Sequence, residues 1–163
     1  MTMHVEIHTT VNGEDMERSV LPRLTLAEFL RDGLGLTGTK LSCELQVCGA
    51  CTVLVDGLPV SSCTYLAADI DGAEVLTIEG MGGDRDLHPI QQAFIDEFAM
   101  QCGFCTPGFV MMTKALLDET PQPTSDEVID YMEGNICRCT GYRSILDAVL
   151  LAADRLSTDG AQP

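Results

Sequence analysis

Between Met3 and Val11 apolar and polar residues alternate, the period of a half-buried strand. Asn12-Gly13 then reads as a hairpin turn, and Glu17 to Leu21 returns as a second strand. From Thr25 to Leu34 the period becomes helical, with Leu26, Phe29 and Leu30 as the apolar stripe and Thr25 and Glu28 at capping-box spacing. Thr37 to Cys51 keeps neither period and reads as a long loop. Thr52 to Val55, the Asp56-Gly57 turn and Leu58 to Ser61 predict a second hairpin, and Glu74 to Ile78 a closing strand.

Gly80, Gly82 and Gly83 interrupt this pattern, and everything beyond them follows the helical period. His88-Pro89 begins a helix through Met100, and Pro107 opens another through Asp118. Pro121 and Pro123 punctuate the chain. Thr124 with Glu127 caps a third helix to about Met132, and a fourth runs from Arg143 to about Leu156. The expected architecture is α+β, with a β-grasp domain over residues 1–80 and a four-helix bundle over residues 81–163.

Eight cysteines change the picture, because they fall into two groups of four. Cys43, Cys48 and Cys51 read C-x4-C-x2-C, the plant-type [2Fe-2S] ferredoxin spacing, and Cys63 arrives from the following hairpin. Gly49 and Ala50 are small enough for backbone to curl over a cluster. Cys102 and Cys105, then Cys137 and Cys139, form two close pairs on two loops. Each close pair is expected to hold one iron of a second binuclear centre, with a helix N-terminus beside each pair favouring its negative charge.

Two other readings use the same residues. Four disulfides suit a shorter, secreted scaffold, and no signal peptide precedes the first strand. Structural zinc also takes four thiolates, and the ferredoxin-like flank is what favours iron. A Rieske centre needs two histidine ligands, whereas His4, His8 and His88 are remote from the cysteines in sequence.

The net charge of −16 repels nucleic acid and anionic lipid, so neither is an expected partner. Lys40, Arg138 and Arg143 lie near cysteines and either raise a centre's potential or serve as ordinary surface charge. No apolar run spans a bilayer, and unpaired thiols suit a reducing compartment, so the cytoplasm is expected. Halves of about 80 residues bury only about 60% of their unfolded surface and are marginal alone. A metal centre in each would act as a staple, and its removal should destabilise both.

Gly33 to Gly38 matches G-x-G-x-x-G, but it follows a helix where nucleotide binding requires a strand. No nucleophile stands beside a base, so no catalytic residue is assigned.

With both halves assigned, the chain resembles the small iron-sulfur subunit of the molybdenum hydroxylases, the xanthine dehydrogenase and carbon monoxide dehydrogenase family. The resemblance rests on CELQVCGACTVLV (Cys43 to Val55), QCGFCTPG (Gln101 to Gly108) and GNICRCTG (Gly134 to Gly141). It implies a [2Fe-2S] cluster on Cys43, Cys48, Cys51 and Cys63, and a second on Cys102, Cys105, Cys137 and Cys139. It further implies that Gln101 and Cys139 contact a molybdopterin cofactor on a large subunit, and that electrons pass singly to FAD on a medium subunit. The implied assembly is a dimer of heterotrimers in which this chain carries electrons and performs no substrate chemistry. The competing expectation is a free-standing two-cluster ferredoxin. Relatives commonly carry glycine where this chain has Ser42 and Gln46, so a positive φ at either would strain the first loop.

Overall fold

The computed structural model describes residues 3–83 and 86–158. Strands β1 (Val5–Val11) and β2 (Glu14–Val20) pair antiparallel around Asn12 and Gly13, whose φ values of 52° and 82° make a left-handed two-residue turn. So short a turn lets pairing begin at once, and β2 starts at Glu14 rather than at the expected Glu17. A second tight turn at Asp56-Gly57 joins β3 (Thr52–Val55) to β4 (Leu58–Ser61). Strand β5 (Glu74–Leu76) lies parallel to β1 and antiparallel to β3, giving the order β2-β1-β5-β3-β4.

The closing strand was expected to reach Ile78, but it stops at Leu76. Asn12 clips the next residue in place: its Oδ1 accepts the Thr77 amide at 2.8 Å and its Nδ2 donates to Thr77 Oγ1 at 2.9 Å. A 3-10 turn, Ile78–Gly80, follows.

Helix α1 (Leu26–Glu28) starts at the Thr25–Glu28 capping box and widens into a π-helical turn over Phe29–Gly33, closed by the Leu34 amide on the Phe29 carbonyl. The turn keeps Phe29 and Leu30 buried against the sheet. Gly38 of the G-x-G-x-x-G stretch is held by the Glu79 carboxylate at 2.7 Å, in a loop following helical rather than strand structure.

Helices α2 (Pro89–Asp96), α3 (Thr106–Glu119), α4 (Ser125–Met132) and α5 (Arg143–Thr158) form the second half. Helix α2 packs on α3 and α5, and α4 on α3 and α5, which closes a four-helix ring. The first of them was expected to reach Met100. It ends at Asp96 because Phe98 takes a left-handed φ of 52°, with the Ala99 amide on the Phe94 carbonyl and the Phe98 amide on that of Ile95. This is a Schellman stop, with phenylalanine where glycine is usual.

Among the described residues there are two cores. Ile7, Leu26, Leu30, Val53, Ile70 and Val75 fill the first, while Ile90, Phe94, Phe109, Met111, Val128 and Val149 lead the second. Strand β3 serves both: Val53 and Val55 enter the first core and Leu54 the second. Burial on both faces explains why its sequence is a continuous apolar run rather than an alternation.

Candidate metal centres

The loop between the π-turn and β3 curls so that backbone N–H groups point at sulfur. Leu45 and Val47 each donate to Cys43 Sγ at 3.4 Å, which holds that thiol down at about 6. Such donors stabilise a thiolate, the form that binds metal. Cys48 lies against Cys43, and the buried Cys51 against the buried Cys63. Burial, with Cys63 beside it, pushes Cys51 up to about 11.

The curl needs left-handed backbone at Glu44 (φ 54°), Gln46 (φ 59°) and Gly49 (φ 67°). Of the two non-glycine positions singled out in the sequence, Gln46 is therefore strained and Ser42 is not. Thr64 Oγ1 donates to Gln46 Oε1 at 3.2 Å and offsets part of that strain.

In the second group the sulfurs pair across the loops rather than within them. Cys102 and Cys139 sulfurs are 3.5 Å apart, and Cys105 lies against Cys137. These contacts bring together one sulfur from each close sequence pair. The left-handed Gly103 (φ 79°) turns the chain between Cys102 and Cys105, and Cys105 becomes the N-cap of α3 while Cys102 stays at the surface.

Burial and the neighbouring Cys137 push Cys105 up to about 12, so desolvation there outweighs the start of α3. At Cys137 burial also pulls upward, but Thr140 donates through its amide (3.4 Å) and hydroxyl (3.1 Å), and the thiol falls below its ordinary value. The donors come from this loop, not from α5, which begins only at Arg143. The Phe104 amide lowers Cys102, whereas contact with Cys102 raises Cys139.

Of the three basic residues near the cysteines, Lys40 donates to the Thr37 carbonyl and Arg143 pairs with Asp147. Neither cation is spent on sulfur.

Tyr142 was not singled out by sequence, although its hydroxyl accepts the Cys137 amide at 3.0 Å. Its φ of 69° and edge-on packing against Phe109 aim it there. Asn135 was also missed. It is 4% exposed and donates to the Gly49 carbonyl at 3.3 Å, while the Ile136 amide donates to the Cys48 carbonyl at 3.0 Å. Its only sequence signal was membership of the GNICRCTG stretch.

All eight cysteines are unpaired thiols, so the disulfide reading has no support in the geometry. They stand as four sulfur pairs. Two pairs per group, with amides aimed at sulfur, fit a binuclear iron-sulfur core.

A β-grasp sheet with one thiol quartet, joined to a helical ring with another, defines a two-centre iron-sulfur protein. The comparisons agree: "2Fe-2S iron-sulfur cluster binding domain" matches residues 9–77 and "[2Fe-2S] binding domain" residues 77–150. The small subunit of nicotine 6-hydroxylase from Paenarthrobacter nicotinovorans is 50% identical over 152 residues, covering 93% of this chain and 92% of that one. Quinoline 2-oxidoreductase from Pseudomonas putida 86 superposes with a TM-score of 0.92 at 41% identity, covering 98% of this chain and 99% of the matched chain. Aldehyde oxidoreductase from Desulfovibrio gigas gives a TM-score of 0.90 at 41% identity, and there the match covers 18% of a much longer chain. The chain belongs to the small iron-sulfur subunits of the molybdenum hydroxylase family. It is an electron-transfer component of an oxidoreductase complex, and substrate chemistry belongs to other subunits.

Proposed function

We propose that Cys43, Cys48, Cys51 and Cys63 hold one [2Fe-2S] cluster, and that Cys102, Cys105, Cys137 and Cys139 hold the other. When bound, each cluster takes up and releases one electron at a time. The proposed domain division follows the two cores and falls near residue 80.

The asymmetry of the second quartet carries the reading. Cys102 and Cys139 are exposed beside the exposed Gln101, whereas Cys105 is half-buried and Cys137 buried, next to Ile136, whose amide donates to the Cys48 carbonyl of the first quartet. The outer edge faces a partner and the inner edge faces the rest of this chain. Gln101 and Cys139 therefore meet the molybdopterin of a large subunit, which supplies electrons. The first quartet passes them toward FAD on a medium subunit through a loop whose Leu45 and Val47 are 73% and 58% exposed.

Phe98, Met100 and Phe104, within four residues of Cys102 along the chain, are exposed, and Phe98 is 82% exposed despite its left-handed backbone. An aromatic side chain held in solvent at a strained position suits an interface anchor. The assembly we propose is a dimer of heterotrimers in a reducing, cytoplasmic setting. Among the described residues no helix is long and apolar enough to cross a membrane.

Replacing Gln101 with alanine in the assembled complex tests the reading. Iron content and both cluster signals should persist while reduction of the clusters by substrate slows. Unchanged reduction rates would remove Gln101 from the contact.

A further inference from the structure

The two cysteine loops meet at one point, and the fit there is unusually close. Gly49 belongs to the first loop, Gly108 to the first turn of α3, and Asn135 to the segment leaving α4. A Cβ on Gly108 would fall 2.2 Å from the Gly49 carbonyl oxygen, and a Cβ on Gly49 would fall 2.6 Å from the Asn135 amide. The Gly49 carbonyl is gripped between Gly108 on one side and the Asn135 amide nitrogen, at 3.3 Å, on the other. The grip is itself anchored, because the Asn135 backbone amide donates to the Met132 carbonyl at 2.9 Å.

One residue on from this grip, on both strands of chain, lies the hydrogen bond from the Ile136 amide to the Cys48 carbonyl. Cys48 carries a sulfur of the first quartet, and Ile136 precedes Cys137 of the second. The covalent path between these two sulfurs is interrupted by that hydrogen bond alone. Asn135 and Ile136 are consecutive, as are Cys48 and Gly49, so the Asn135–Gly49 bond fixes the register of the Ile136–Cys48 bond beside it.

We propose that Asn135 is a positioning residue that clamps the two cysteine loops together, and that the Ile136–Cys48 hydrogen bond it holds is the bridge over which an electron crosses between the quartets. This rests on the ligand reading given above. With both centres loaded, the transfer would be of one electron, oxidising a ferrous iron of the second centre to ferric and reducing a ferric iron of the first to ferrous, with no proton or outside reagent taking part. A residue serving only the domain seam would change stability and leave the coupling of the two centres alone.

The test uses the full chain with both centres assembled, carrying Asn135→Asp, which keeps the shape but loses the donor, or Gly108→Ala, which forces the opposite jaw. Iron, acid-labile sulfide and the separate signal of each centre are measured first, and failure of those sinks the ligand reading itself. The readouts are the magnetic interaction between the two reduced centres and the rate at which an injected electron equilibrates between them. Both variants should weaken the interaction and slow equilibration several-fold. Met112→Ala, a half-buried neighbour at the same seam, should leave both at wild-type values. Wild-type coupling in Asn135→Asp and Gly108→Ala proteins that retain both centres overturns the proposal, as does equal slowing in Met112→Ala.

Discussion

The Tyr142 hydroxyl accepts the amide hydrogen of Cys137 at 3.0 Å, five residues back along the chain. It satisfies a donor that the loop's tight path leaves without a backbone partner. Tyr142→Phe removes the acceptor and nothing else, and an unpaired, partly buried amide costs about 1–3 kcal/mol. For a chain of this length each kcal/mol lowers Tm by roughly 2–4 °C. Thermal unfolding of the metal-loaded chain should show this drop, and the spectral change should be confined to the second centre. Equal changes at both centres would contradict the local role of Tyr142.

Sulfur pairing across the loops has a spectroscopic consequence. If the proposed cluster keeps these contacts, Cys102 and Cys139 would share one iron and Cys105 and Cys137 the other. Serine at Cys102 or Cys139 should perturb the same iron, and serine at Cys105 or Cys137 the other. Mössbauer spectra that instead group Cys102 with Cys105 would restore pairing within the loops.

Phe98 sets folding against assembly. Its left-handed backbone costs about 1–2 kcal/mol that glycine avoids, so Phe98→Gly should raise the stability of the isolated chain by about that amount. The same change removes an exposed anchor and should weaken binding to the large subunit. Denaturant unfolding and a binding titration read the two effects separately, and a rise in both quantities would end the anchoring role. Gln46→Gly should show the stabilising half alone.

Removal of the metal should destabilise both halves, because halves of about 80 residues are marginal alone and a bound centre would tie together separate segments of each. Chelation under reducing conditions should lower Tm and open the β3–helix seam to hydrogen exchange. Unchanged exchange at Leu54 would show that the cores hold without their staples.

His88 gives α2 a pH-dependent start. Its Nδ1 accepts the Ile90 amide at 3.2 Å, and burial, aided by Lys114 and opposed by Asp118, lowers its pKa from the ordinary 6.5. The folded state thus prefers neutral His88 and binds fewer protons than the unfolded chain. Its contribution to stability is complete above 6.5 and is lost as pH falls from there through the lower folded value. Denaturant midpoints between pH 5 and pH 8, a window about 6.5, should fall on the acid side. His88→Ser, which caps without titrating, should flatten that segment.

Much of this was legible in the sequence because local chemistry fixed it. The Asn12-Gly13 and Asp56-Gly57 turns and the Thr25–Glu28 and Thr124–Glu127 capping boxes need only neighbouring residues, and all four form. The misses are tertiary. Nothing near Phe98 marks it as a helix stop, since that position usually wants glycine. Asn135, Gly108 and Tyr142 act on residues in other elements or through backbone geometry, and a sequence period carries no record of such partners. The contacts of Cys102 with Cys139 and of Cys105 with Cys137 are tertiary in the same way, joining residues more than thirty positions apart.

The parallel pairing of β1 with β5 dictates an order of events during translation. Strand β1 can engage only β2 until Glu74–Leu76 leaves the ribosome, by which time Cys43, Cys48, Cys51 and Cys63 have all emerged. The sheet can therefore close only after all four thiols of its own loop have been synthesised.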